Sequence, residues 1–298
     1  MAGAHAPAIS LGRAGRRPPG RDRGAEPRDD NGQTMPAELY FVLTLILKMA
    51  ITAGFVLAAT MTAERAGPLV GGLVSTLPIG AGPVYVILAL DHDAHFIAQS
   101  AVGSLGVNAI NVVFAVVYCV LAQKRSLAVS LGGTYAVWIV LTLVATQSQW
   151  SFVTALLLNA VAIAFGLWIV RPFRHTPMPP LNPRWYDYAL RALMVATLVG
   201  IAVTFSFRIG SYGGGFLAVF PVVLTSIILI FHRRAGGRPT AAVLANAPIG
   251  LLGFGIACTA LHFTAEPLGV AAGLALALAV SVGWSLAVLA ARRHGFPV

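Results

Sequence analysis

Charge is scarce in this chain: Asp, Glu, Lys and Arg together make up 10% of its 298 residues, against about 25% in an ordinary soluble domain. Hydrophobic residues make up 57%, and apolar stretches of about twenty residues, the length needed to cross a hydrocarbon core about 30 Å thick, recur along nearly the whole sequence. Strand-type alternation is missing, which excludes an outer-membrane barrel. Cysteine is nearly absent. Cys119 and Cys258 both fall inside apolar runs, where a thiol behaves as a small hydrophobe, so no disulfide framework is indicated. No Asp or Glu sits in the middle of an apolar run, although proton-driven exporters and cation pumps usually need one there. No intramembrane Ser/His/Asp set, metalloprotease motif or carboxylate pair is present either, so an enzyme is not expected and no cofactor is implied.

What is present reads as an all-α, polytopic membrane protein of about nine transmembrane helices. The runs lie at 39–61, 69–90, 96–121, 127–145 and 152–170, then, after a proline-rich loop at 171–184, at 188–207, 216–231, 241–261 and 270–289. The first 34 residues are rich in Gly, Pro, Arg and Asp and are expected to be a disordered tail. Met35 stands just ahead of the first run, and the tail is expected to lie upstream of the true start. The first run is read as a permanent span rather than a cleaved signal, because Lys48 interrupts it and Met35 to Glu38 offers no basic region.

The formal charge of +10 does not indicate nucleic acid, since the basic residues cluster at span ends. One side collects Arg65, Lys124, Arg125, Arg171, Arg174, Arg184, Arg233, Arg234, Arg238, Arg292 and Arg293, and the other, the tail aside, only Arg208 with Asp91, Asp93 and Glu266. Positive-inside bias then puts the amino terminus outside and the carboxyl terminus in the cytoplasm of a bacterial inner membrane. The six arginines of the tail oppose that orientation, which a start at Met35 resolves.

A shift of 143 positions superposes Lys48 on Arg191, Arg65 on Arg208, Gly67 on Gly210, Gly71 on Gly214, Gly72 on Gly215 and Pro78 on Pro221. Six such matches at one offset point to a duplicated four-helix unit, at 35–147 and 187–298, joined by a connector helix and loop at 148–186. With an odd number of spans before it, the second unit is expected to enter the membrane inverted. Leu47 to Ala50 (Leu-Lys-Met-Ala) with Gly71 to Pro78 (Gly-Gly-Leu-Val-Ser-Thr-Leu-Pro), and Leu190 to Leu193 with Gly214 to Pro221, resemble the small four-helix GlpM-type bacterial inner-membrane proteins. The resemblance implies a tandem duplication of such a protein and little chemistry, since that family brings no established substrate.

The second helix of each unit should be broken or kinked. Gly71, Gly72, Ser75, Thr76, Pro78, Gly80, Gly82 and Pro83 interrupt the first copy, and Gly214, Gly215, Pro221, Thr225 and Ser226 the second. Proline removes a backbone N–H and frees carbonyls that only neighbours, water or a ligand can satisfy in a membrane. Paired interruptions in inverted halves mark transporter sites, and glycines also let helices pack closely, so both readings stand. Asn108, Asn111 and Asn246 should face inward, as interhelical hydrogen bonds or as cavity groups. Lys48 and Arg191 are the ionised residues inside helices, either snorkelling or offering positive charge to a substrate. Asp91, His92, Asp93 and His95 form a compact loop in which solvation is expected over metal binding. The leading expectation is a secondary transporter or facilitator of a neutral, anionic or lipid-like small molecule; the alternative is a non-transporting scaffold or assembly partner. The lipid bilayer and an unidentified solute are the partners this implies, with self-association into a homo-oligomer left open.

Overall fold

The computed structural model describes residues 37–65, 81–147, 150–174, 176 and 184–294. Those residues form ten α-helices and one short 3₁₀ turn, with no strand among them. The helices are α1 (Ala37–Arg65), α2 (Ala81–Asp91), α3 (Ala94–Leu121), α4 (Leu127–Thr146), α5 (Phe152–Val170), α6 (Trp185–Ala218), α7 (Val222–Ala235), α8 (Gly237–Leu244), α9 (Ala247–Leu268) and α10 (Val270–Arg293). Seven helical segments among the described residues are long and apolar enough to cross a bilayer, from Ala94–Leu121 to Val270–Arg293. The chain is a multi-pass helical membrane protein. The expected runs at 39–61 and 69–90 correspond to α1 and, in part, to α2; residues 69–80 and the tail lie outside the described residues.

Met1–Leu43 and Thr44–Val298 are separate compact units. The first contributes the opening turns of α1 to the description, and the second contains everything discussed below. At its centre is α3, of whose most apolar stretch 72% is buried, against 17% for α4 and for α10. A helix apolar all round is a core helix, whereas Val140, Leu143 and Val144 on α4 and Leu276, Leu278 and Leu286 on α10 are exposed and suited to face lipid.

Small residues let α6 approach α3 closely. Ser100 Oγ donates to the Ser211 carbonyl and Ser104 Oγ to the Gly215 carbonyl, both at 2.9 Å. A Cβ on Gly215 would run into the Ser100 carbonyl oxygen, and one on Gly103 would lie 2.7 Å from the Tyr212 oxygen. Without a hydrophobic force between helices in lipid, such contact and hydrogen bonding hold the bundle together. A Cβ on Gly214 would likewise be crowded, 3.1 Å from the Phe96 ring.

Local sequence sets the breaks. Asp93 caps α3, accepting from the Phe96 N–H at 2.8 Å, and Ser151 caps α5, accepting from the Thr154 N–H at 3.2 Å. Gly236 (φ 88°) and Gly269 (φ 84°) make the sharp turns that open α8 and α10. Gly210 (φ 69°) divides α6, so that the second half, 210–218, belongs to the next crossing. Two expectations shift as a result. The span expected at 216–231 runs from Gly210 to Ala235, and the one expected at 241–261 is two helices, α8 and α9, parted at Ala245 and Asn246 with Pro248 opening α9.

Candidate substrate cavity at a broken helix

The crossing Gly210–Ala235 is interrupted near its midpoint at Val219, Phe220 and Pro221. Pro221 can donate no backbone bond, and the chain makes a tight turn there, Val222 N–H donating to the Phe220 carbonyl at 2.7 Å. The carbonyls at the break are met by side chains of α3 and α7, which α4 holds in place. Asn111 Nδ2 donates to the Val219 carbonyl at 2.7 Å, and Trp138 Nε1 donates to Asn111 Oδ1 at 2.8 Å, which fixes which way the amide points. Thr225 Oγ1 donates to the Pro221 carbonyl at 2.7 Å. Its single hydroxyl hydrogen is then used, so Tyr135 OH, 2.6 Å away, is the donor to Thr225. Phe220 is held by Tyr135 and Trp138, with ring centroids at 6.1 and 5.2 Å.

Below the break lies a cavity of about 530 Å³, within the ordinary range of small-molecule sites. Asn111, Phe220, Pro221 and Phe254 line its inner end, α7 and α10 line its walls, and Arg174, Asn246 and Arg292 line the end nearest the bundle surface. Arg174 Nε donates to the Ala245 carbonyl at 3.3 Å, and Arg292 Nη2 donates to Asn246 Oδ1 at 3.1 Å. Arg174 Nη2 is buried with no partner among the described residues. Burial, then the like charges of Arg292 and Arg171, pull the Arg174 pKa down. Among the described residues no Asp or Glu lines the cavity.

The structure thus brings Asn111, Pro221 and Asn246 to one cavity. Asn246 is in the turn between α8 and α9 rather than inside a helix, its Nδ2 donating to the Ala242 carbonyl at 2.9 Å. The remaining candidates lie elsewhere. Asn108 is fully buried between α3 and α9; its Nδ2 donates to the Leu251 carbonyl at 2.7 Å, while its Oδ1 has no partner among the described residues. Thr225 and Ser226 are buried in α7 and do not line the cavity; Ser226 Oγ donates back to the Val223 carbonyl at 2.8 Å. Arg191 is half-buried on α6 away from the cavity. Lys48 does not offer free charge to a substrate, because its Nζ is 2.5 and 2.7 Å from the two Asp91 oxygens, with both side chains largely buried. Pro83 is buried at the start of α2 and a Cβ on Gly82 would meet open space. Gly71, Gly72, Ser75, Thr76, Pro78 and Gly80 lie outside the described residues.

A second ion pair ties α6 to α7: Arg234 Nη2 donates to Asp187 Oδ1 at 2.7 Å, and Asp187 Oδ2 accepts from the Arg184 N–H at 2.9 Å. In the loop before α3 every side chain is engaged. Asp91 holds Lys48, Asp93 caps α3, His95 Nδ1 lies 2.8 Å from Glu266 Oε1, and the His92 ring stacks on Phe96 with centroids 3.7 Å apart. Sequence reasoning missed Arg174 and Arg292, whose signal was absorbed into the charge bias of span ends, and missed Tyr135 and Trp138, which look like ordinary membrane aromatics. No protein-family model, no curated protein and no solved structure matches this chain.

Proposed function

We propose that this chain is a secondary transporter or facilitator of a bacterial inner membrane, moving a neutral, anionic or lipid-like small molecule between two inverted four-helix repeats. The observation that carries the reading is the interruption at Val219–Pro221, near the middle of an apolar crossing, with Val219, Phe220 and Pro221 lining a cavity. Irregular backbone at that depth is tolerated where it is buried in protein or lines a cavity, and discontinuous helices at matching places of two halves are where transporters hold their solutes.

Several features support the repeat. Helices start at Ala94 and Gly237 and at Leu127 and Val270, each pair 143 residues apart. Asn108 on α3 donates to the backbone of Leu251, its counterpart at that same separation of 143, as expected where two related helices cross on a two-fold axis. The contacts α4 to α7 and α10 to α2 are equivalent under the same operation. The two ion pairs also correspond: Asp91 and Arg234 close the second helix of each unit, and each binds an oppositely charged residue of the first helix. The Arg-rich face carrying Arg174, Arg234 and Arg292 is cytoplasmic under the positive-inside rule, which leaves the cavity open inward. The GlpM-type resemblance of both halves is consistent with this origin.

The test places single cysteines at Arg65 and Arg208 in a background lacking Cys119 and Cys258, and labels them from each side of the membrane. Opposite sidedness is expected. Labelling from the same side would remove the inverted repeat and with it the main ground for transport; normal sidedness with no solute moved by proteoliposomes would favour the scaffold.

A further inference from the structure

The polar groups of the cavity differ sharply in whether they have bonds to spare. At its inner end Asn111 is committed on both atoms, to Val219 and to Trp138. On the wall, Trp284 Nε1 donates to the Ile249 carbonyl at 2.9 Å and Ser285 Oγ to the Ser281 carbonyl at 3.0 Å. A sugar or other polyhydroxy solute would find those groups taken and would lose its water without replacement. Leu224 and Ile227 of α7 and Val288 and Leu289 of α10 complete an apolar channel. At the other end stand two guanidiniums with no carboxylate among the described lining residues, and the buried Nη2 of Arg174 has no bond among the described residues. An uncompensated buried N–H of a cation costs several kinds of stabilisation at once, and an anion satisfies it while offsetting the repulsion between Arg174 and Arg292. A cationic solute would meet both like charges.

Resting on the transport reading of this same cavity, we propose that its ligand is an amphiphile with an anionic head, carboxylate or phosphate, bound by Arg174 and Arg292, and one apolar chain lying between α7 and α10 toward Phe254 and Pro221. The head and chain are the shared chemistry of a free single-chain amphiphile and of a bilayer lipid reaching in from the side.

The test titrates decyl phosphate into the full chain held in phosphatidylcholine nanodiscs, reading calorimetric heat and tryptophan fluorescence. Saturable binding is expected, with inorganic phosphate and decanol each at least about tenfold weaker, the equivalent of one charge-assisted hydrogen bond. Arg174→Gln and Arg292→Gln should each weaken decyl phosphate by about tenfold, and Arg174→Lys by less. Arg292 is exposed near the end of α10, so its variant tests the site even where Arg174→Gln fails to accumulate. Unchanged affinity in Arg292→Gln and Arg174→Lys, or decanol binding as tightly as decyl phosphate, overturns the proposal. Adding phosphatidylglycerol to the discs separates the sources: competition identifies a bilayer lipid, absence of competition a free amphiphile, and either upholds the anionic-head site. Binding without flux in proteoliposomes refutes transport and leaves the site standing; flux of another solute without decyl phosphate binding does the reverse.

Discussion

Replacing Asn111 by Leu keeps the volume of the side chain roughly constant and removes the amide that closes the helix break. Two buried groups lose their partners: the Val219 carbonyl, bonded at 2.7 Å, and the Trp138 indole N–H, bonded at 2.8 Å. An orphaned buried polar group costs about 1–3 kcal/mol. Interhelical hydrogen bonds in membrane bundles average only about 0.6 kcal/mol, because the unfolded chain in lipid also finds partners. The Val219 carbonyl sits at a fixed backbone break beside Pro221 and cannot turn to another donor, whereas the indole can rotate. The first loss should therefore be near the full value and the second near the membrane average, about 2–3 kcal/mol together. The assay is unfolding in mixed micelles on titration with a denaturing detergent, read by circular dichroism. A double-mutant cycle with Trp138→Phe should show coupling of about 0.6–1.7 kcal/mol, since both substitutions remove one shared bond. A loss under about 0.5 kcal/mol, or additive effects, would refute the claim that this amide holds the broken helix.

Other outcomes follow from the same packing. Lys48→Glu should destabilise by about 1.5–3 kcal/mol through two facing carboxylates, and the exchange Lys48→Asp with Asp91→Lys should recover most of it in the same micelle assay. Gly215→Ala should cost about 1–3 kcal/mol or block accumulation in the membrane, because the added methyl meets the Ser100 backbone, while Gly82→Ala, facing open space, should be neutral or stabilising by up to about 1 kcal/mol. Burial lowers the His92 pKa below its ordinary 6.5, against the opposing pull of Asp91 and Asp93. Below that value the unfolded chain takes up the proton first, so stability should fall as pH drops from about 6.5, and His92→Gln should flatten that slope when unfolding is repeated across pH.

Much of the helix plan was legible because hydrocarbon imposes a length and a composition on any span, and Pro221 and the glycines around it announced an interrupted helix through backbone chemistry alone. The partner of Lys48 was not legible, for the opposite reason. A single lysine in an apolar run looks unpaired until the fold brings Asp91, 43 positions away, to its side. Asn246 was placed inside a helix because Ala241 to Leu261 is apolar almost throughout, and little local distinguishes a turn between two helices from a continuous one except Pro248. Arg174 and Arg292 lie far apart in sequence and each satisfies the rule for span ends, so their convergence on one cavity left no sequence trace.

By itself, then, the sequence determined the class: 57% hydrophobic residues and 10% charged leave only a bundle of membrane helices, and a proline in mid-span kinks or breaks its helix. The tertiary structure alone decided which polar groups are consumed by structure and which remain for a ligand. Hydrogen bonds such as Asn111 to Val219 join residues 108 positions apart, and whether a side chain has a bond to spare depends on what the fold sets beside it rather than on its neighbours in the chain.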